Sequence, residues 1–285
     1  LANCIKTLST SSTVTGIYHH DQSLTNGAND DSYRYAGASE NVNNYVCFGS
    51  DTSTCPSKNL YRIIGVFGSE VKLVKATFAK TDLLGTDGDY VREDAYYMNY
   101  KNDTTINNGK GSNDWTTSLL NKVNLNTNFI NNIGTTWANK IATHSWKINA
   151  GSWGSIASCS VNKVYQNEIV SPITNSTYEA KIGLIYISDH IYASSPRYWL
   201  YAGFNKDGND FRNSKGKNWH NVNYFEPAIT KQSENKNNFF AINSNCSISA
   251  TSANNTFIIR PTFYLNASIT YVSGEGTETN PIRIN

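Results

Sequence analysis

Charge is scarce in this chain: only 16% of its 285 residues are Asp, Glu, Lys or Arg, against roughly 25% in an ordinary globular domain. The 24 basic and 22 acidic residues leave a formal charge of +2, and no run of Lys or Arg forms a stripe. A nucleic acid, which is held by neutralising its phosphates, is therefore excluded as a partner. Long hydrophobic runs are missing too. None approaches the ~18 residues of a membrane-spanning helix, so a membrane is expected to be reached only through a leader or anchor absent from this sequence. A first residue of Leu1 rather than Met fits such an upstream segment. No Gly-x-Ser-x-Gly, phosphate loop, dinucleotide fingerprint or Cys-x-x-Cys occurs, so no catalytic residue, cofactor or metal is assigned. His19, His20 and Asp21 are adjacent, but neighbouring side chains of an extended chain point apart. The expectation is a binding protein rather than an enzyme.

Cysteines number five, too few for a disulfide scaffold. Cys47 and Cys55 bracket a short polar loop with Pro56 behind it, which reads as a local disulfide, worth roughly 2–3 kcal/mol in the chain-entropy model. A metal site would need two further ligands at similar spacing. Cys159 and Cys246 are the candidate second pair, leaving Cys4 unmatched. A disulfide implies an oxidising compartment, hence an extracellular or cell-surface protein.

Asn, Ser and Thr take the place of the missing charges, and 12% aromatic residues supply a core. Residues 1–45 are polar without sustained periodicity and read as a stalk or anchor-proximal segment, with one domain over 46–285. Leu60-Tyr-Arg-Ile-Ile-Gly-Val-Phe, a Gly68-Ser69 turn and Glu70-Val-Lys-Leu-Val-Lys read as a β-hairpin. Ile63, Phe67, Val71 and Leu73 face the core in that reading, and Lys72 and Lys75 face water. Asp87, Asp89 and Asp94 read as solvated turn, since their spacing does not fit a calcium loop. Asn113-Asp114 predicts a helix cap before Trp115. Strands are expected at Ala180–Ser188, Phe239–Ile242 and Phe257–Arg260, a short helix from Ser188-Asp189, and a closing hairpin in 267–284. Helical pieces and strands that do not alternate regularly make the class α+β. Ile63, Val66, Leu73, Leu184, Ile259 and Phe263 are the expected core.

The stretch 193–238 is longer than an ordinary connection, and loops of that length are commonly functional. It is crowded with rings and amides, the composition of recognition surfaces. Tyr198, Trp199, Tyr201, Trp219 and Tyr224 are the candidate stacking anchors. Asn205, Asp207, Asn209, Asp210, Arg212, Asn213, Asn218, Asn221 and Asn223 are the candidate polar contacts. The expected partner is an extracellular protein or glycan. A rival expectation is a homo-oligomeric subunit of a pilus or other filament, assembled by strand addition.

Asn44-Tyr-Val-Cys-Phe-Gly-Ser, Leu60-Tyr-Arg-Ile-Ile-Gly-Val-Phe, Ala180-Lys-Ile-Gly-Leu-Ile-Tyr-Ile-Ser-Asp, Arg260-Pro-Thr-Phe-Tyr-Leu-Asn and the closing segment from Tyr271 resemble, in that order, a family of exported surface proteins of gut Firmicutes and their relatives. The resemblance covers most of 16–285. It implies a C-type-lectin-like fold, as in formylglycine-generating enzymes, with a small antiparallel sheet and long loops presenting the binding face. Some proteins of that fold are the variable proteins of diversity-generating retroelements, and the Asn codons near the C-terminus suit adenine-directed variation. The chain departs from the family at Glu226-Pro227-Ala228-Ile229-Thr230, where relatives carry Glu-Trp-Thr.

Overall fold

The computed structural model describes residues 1–11, 16–203 and 210–285. Its centre is a seven-stranded sheet. Ile17–His19, Tyr33–Tyr35, Leu60–Phe67, Glu70–Lys75, Thr262–Leu265 and Ile182–Gly183 follow one another across it, and Tyr45–Cys47 shares the edge of Leu60–Phe67 with Tyr33–Tyr35. Every pairing in this sheet is antiparallel. The hairpin Leu60–Phe67/Glu70–Lys75 turns at Gly68, whose φ of 63° suits a residue without Cβ. All six expected core residues are 0–1% exposed.

Alternation misplaces two side chains of that hairpin. Lys72 and Lys75, expected in water, are 0% and 2% exposed. Both faces of these strands are covered, so an alternating pattern no longer divides core from solvent. The charge of Lys72 is met from the helix Ile187–Tyr192, where Asp189 Oδ2 lies 2.6 Å from its Nζ. The same carboxylate accepts from the Tyr186 amide at 2.9 Å. Glu168, also buried, accepts from the Ile187 and Ser188 amides at 2.9 and 2.8 Å and from the Thr230 hydroxyl. Two carboxylates thus satisfy the N–H groups that open this helix, where its dipole favours negative charge.

A second sheet runs Ile248–Ser252, Asn238–Ile242, Glu226–Gln232 and Ala150–Gly151, the last pairing parallel. Pro227 sits in Glu226–Gln232, whose register with its neighbour shifts between Pro227 and Lys231. A proline supplies no N–H to the ladder, and a bulge accommodates it. The Ile229 amide donates to Ile185 O at 3.0 Å and ties this sheet to the first.

Three local expectations change. No boundary falls at residue 45: Ile17–His19 and Tyr33–Tyr35 are strands of the main sheet, Ile5 is 1% exposed, and the Leu1 ammonium donates to Ile269 O at 2.8 Å. Asp114 closes a turn by accepting from the Thr116 amide, and the helix starts later, at Leu120–Phe129, with wide π-type turns. Asp89 is not solvated. It is 0% exposed and accepts from the amides of Tyr100, Lys101 and Leu120 at 3.0, 2.8 and 3.0 Å.

Cys47 and Cys55 are joined, which is consistent with an extracellular protein. Cys159 and Cys246 are not. Cys159 is half-buried, with its thiol 3.1 Å from Ser155 O. Cys246 is buried in the turn between two strands of the second sheet. Burial raises both thiols to about 11. Without reductant, alkylation of the native protein should label Cys4 first, Cys159 slowly and Cys246 only on unfolding. Mass analysis showing a Cys159–Cys246 bridge would refute this assignment. Among the described residues no helix is long and apolar enough to cross a membrane.

Candidate binding face

The described parts of the connection, 193–203 and 210–224, carry rings that point inward. Trp199 is 0% exposed; its ring meets Tyr192, Tyr18 and His20 at centroid distances of 5.3, 5.5 and 5.0 Å, and its Nε1 donates to Ser194 O at 2.9 Å. Trp219, 2% exposed, donates from Nε1 to Tyr35 O at 2.7 Å and packs 4.9 Å from the Arg62 guanidinium. Tyr198 is buried as well. These three rings were expected to be ligand platforms; they are the keel of the segment instead. An indole is mostly apolar area with a single donor, and each of these donors finds a carbonyl inside the protein.

Two of the expected polar contacts are structural for the same reason. Asn218 is buried, donates to His190 O at 3.0 Å and accepts from the His220 amide at 3.0 Å. Asp210 is buried and accepts from the Arg212 amide at 3.0 Å. Asn205, Asp207 and Asn209 lie outside the described residues.

Beneath the segment runs a hydrogen-bonded chain whose tautomers follow from its ends. Arg260 Nη1 only donates, and it lies 3.2 Å from His220 Nε2, so that nitrogen accepts. His220 Nδ1–H then faces His190 Nδ1 at 3.2 Å, and His190 Nε2–H donates to Cys246 O at 3.2 Å. Burial, with the Arg260 charge adding to it, keeps both rings neutral, holding His190 down at about 4 and His220 well below the usual range. Glu226 Oε2, 3.1 Å from Arg260 Nη1, balances the guanidinium.

What remains outside is polar. Arg212, Asn213, Lys215, Lys217 and Asn223 are exposed, and Asn221 and Tyr201 are half-exposed. Tyr201 OH shares a hydrogen bond with Ser158 Oγ at 2.9 Å. Tyr224 is 51% exposed, with its ring edge-on to Phe78 at 5.4 Å. Tyr224 is therefore the expected anchor with the most open ring. Its pairing with Phe78 was not legible in the sequence, because the two residues stand far apart along the chain. The burial of Lys72 did leave a signal. Leu60-Tyr-Arg-Ile-Ile-Gly-Val-Phe is almost continuously apolar, the mark of a strand covered on both faces, and its hairpin partner must share those surroundings.

His19 and His20 do diverge. His19 lies between Asp21 and Asp31, at 3.2 and 2.5 Å, while His20 is buried and accepts from the Ala28 amide at 3.0 Å. Among the described residues no group of His, Cys, Asp and Glu is placed to hold a metal ion. The chain matches no protein-family model, and searches of the curated proteins and of the solved structures gave no match.

Proposed function

We propose that this chain is an extracellular binding module with a C-type-lectin-like arrangement, which engages a protein or glycan through the outer side of 197–224. One observation carries the reading. The described residues of the segment, 197–203 and 210–224, divide into an underside of buried, hydrogen-bonded rings and an outer side of exposed amides, lysines and Tyr224. A loop held rigid from below can exchange its outer side chains without loss of fold, as recognition loops require. Antiparallel sheets joined by long connections, with the terminal hairpin Tyr271–Ser273/Arg283–Ile284 held to the main sheet where Val46 bridges Ile282, are compatible with the C-type-lectin-like arrangement. Filament assembly by strand addition is the weaker reading. The main sheet ends on Ile17–His19 and Ile182–Gly183, strands of three and two residues, which offer a donor strand little backbone to pair with.

The test is to change Asn213, Asn221 and Tyr224 together to Ser. Unfolding free energy should move by less than about 1.5 kcal/mol, as at surface sites. Binding to whichever glycan or extracellular protein an array identifies for the wild type should fall. Undiminished binding by the folded variant would remove this face from the reading.

A further inference from the structure

We propose that the cleft beside Phe78 is a second binding site, adjoining the 197–224 face at Tyr224, and that it takes an acidic saccharide, a uronic-acid residue whose carboxylate meets the Lys75 ammonium. The cleft has a volume of about 510 Å³, within the range of small-ligand sites. Lys58, Lys75, Lys80, Phe78, Asp82 and Glu93 line it. The rim charges are matched: Lys80 lies 2.9 Å from Glu93, and Lys58 lies 3.7 Å from Asp82. Lys75 is different. It is 2% exposed and donates to Lys58 O at 2.6 Å, and among the described residues no carboxylate stands within ion-pair distance of it. Its ammonium lies 5.2 Å from the Tyr61 ring centre. A buried cation with one carbonyl as its hydrogen-bond acceptor among the described residues is costly to hold and keeps donors to spare. Burial holds Lys75 down at about 8, with Arg260 and Lys58 adding to the effect and Asp82 opposing it. An anionic ligand completes this wall. The rest of the cleft suits a sugar. Phe78 is half-buried and cornered by the edge of Tyr224, giving an apolar step for the C–H face of a pyranose. Asp82 and Glu93 are acceptors for its hydroxyls.

The probe is trigalacturonate, titrated calorimetrically, beside its methyl ester and an acetylated dipeptide with a free C-terminus. The acid sugar should bind, and the ester and the dipeptide should not. Lys75→Met should weaken binding by about tenfold or more, the scale of losing one charge-assisted contact. Affinity should fall between about pH 7 and 9 as Lys75 loses its proton. Phe78→Ala should weaken binding while keeping this pH dependence. Should Lys75→Met fail to fold, ¹³C-lysine spectra of the wild type decide, because a bound carboxylate must raise the pKa of Lys75. An unmoved Lys75 pKa, equal binding of the ester, tighter binding of the dipeptide, or no binding at about 10 mM trigalacturonate would each overturn the proposal.

Discussion

Replacing Asp189 by Ala is expected to destabilise the protein by about 3–5 kcal/mol, the range for removing one partner of a buried ion pair. Its carboxylate is 2% exposed, lies 2.6 Å from Lys72 Nζ and stands 3.8 Å from Arg34 Nη1. Without it Lys72 remains inside the protein beside the Tyr186 ring, 4.3 Å from its centre, and a ring quadrupole is a poor substitute for a carboxylate. Arg34 keeps Asp30, 2.5 Å away, so the loss falls mainly on Lys72. The Tyr186 amide also loses its acceptor, which adds about 1 kcal/mol, as for a lost helix cap. The double variant Lys72→Met, Asp189→Leu should recover part of the loss, since a buried pair replaced by apolar groups leaves no stranded charge. Denaturant unfolding of the three proteins measures this. An Asp189→Ala midpoint equal to that of the wild type would mean that Lys72 reaches water.

Trp199→Ala should cost about 3–5 kcal/mol, the range for truncating a large buried ring. The side chain is 0% exposed and fills the space between Tyr18, His20 and Tyr192. Trp199→Phe separates packing from hydrogen bonding. It keeps most of the apolar volume but leaves the Ser194 carbonyl without its indole donor, at a cost of about 1–3 kcal/mol. Thermal and urea unfolding of both variants provide the check. A folded Trp199→Ala protein of unchanged stability and lost binding would return this ring to the role its sequence context suggested, that of a ligand platform.

The hairpin at 60–75, the helix near Asp189, the strand over Phe239–Ile242 and the closing hairpin were all legible in the sequence. Each is specified locally, by apolar runs, a turn glycine or a capping residue. The Cys47–Cys55 bridge was legible for the same reason, as its loop is short. The ring- and amide-rich stretch 193–238 was legible in composition but not in extent, since Glu226–Gln232 is a strand of the second sheet, and not in orientation. Aromatic and Asn-rich composition reads the same whether the rings face outward or inward, and here two indole donors found backbone carbonyls at Ser194 and Tyr35.

The sequence by itself determined the class of this protein: an α+β chain with a disulfide, little charge and no catalytic motif. Those properties follow from composition and from patterns a few residues long. Only the tertiary structure decided which side chains are scaffold. It took Lys72, Lys75, Asp89, Trp199 and Trp219 out of water and left Asn213, Asn223 and Tyr224 in it. It also left Cys159 and Cys246 apart. The reason is physical: burial of a polar or aromatic side chain depends on what is packed over it and on which acceptor it finds there. For these residues the cover and the acceptors come from distant parts of the chain.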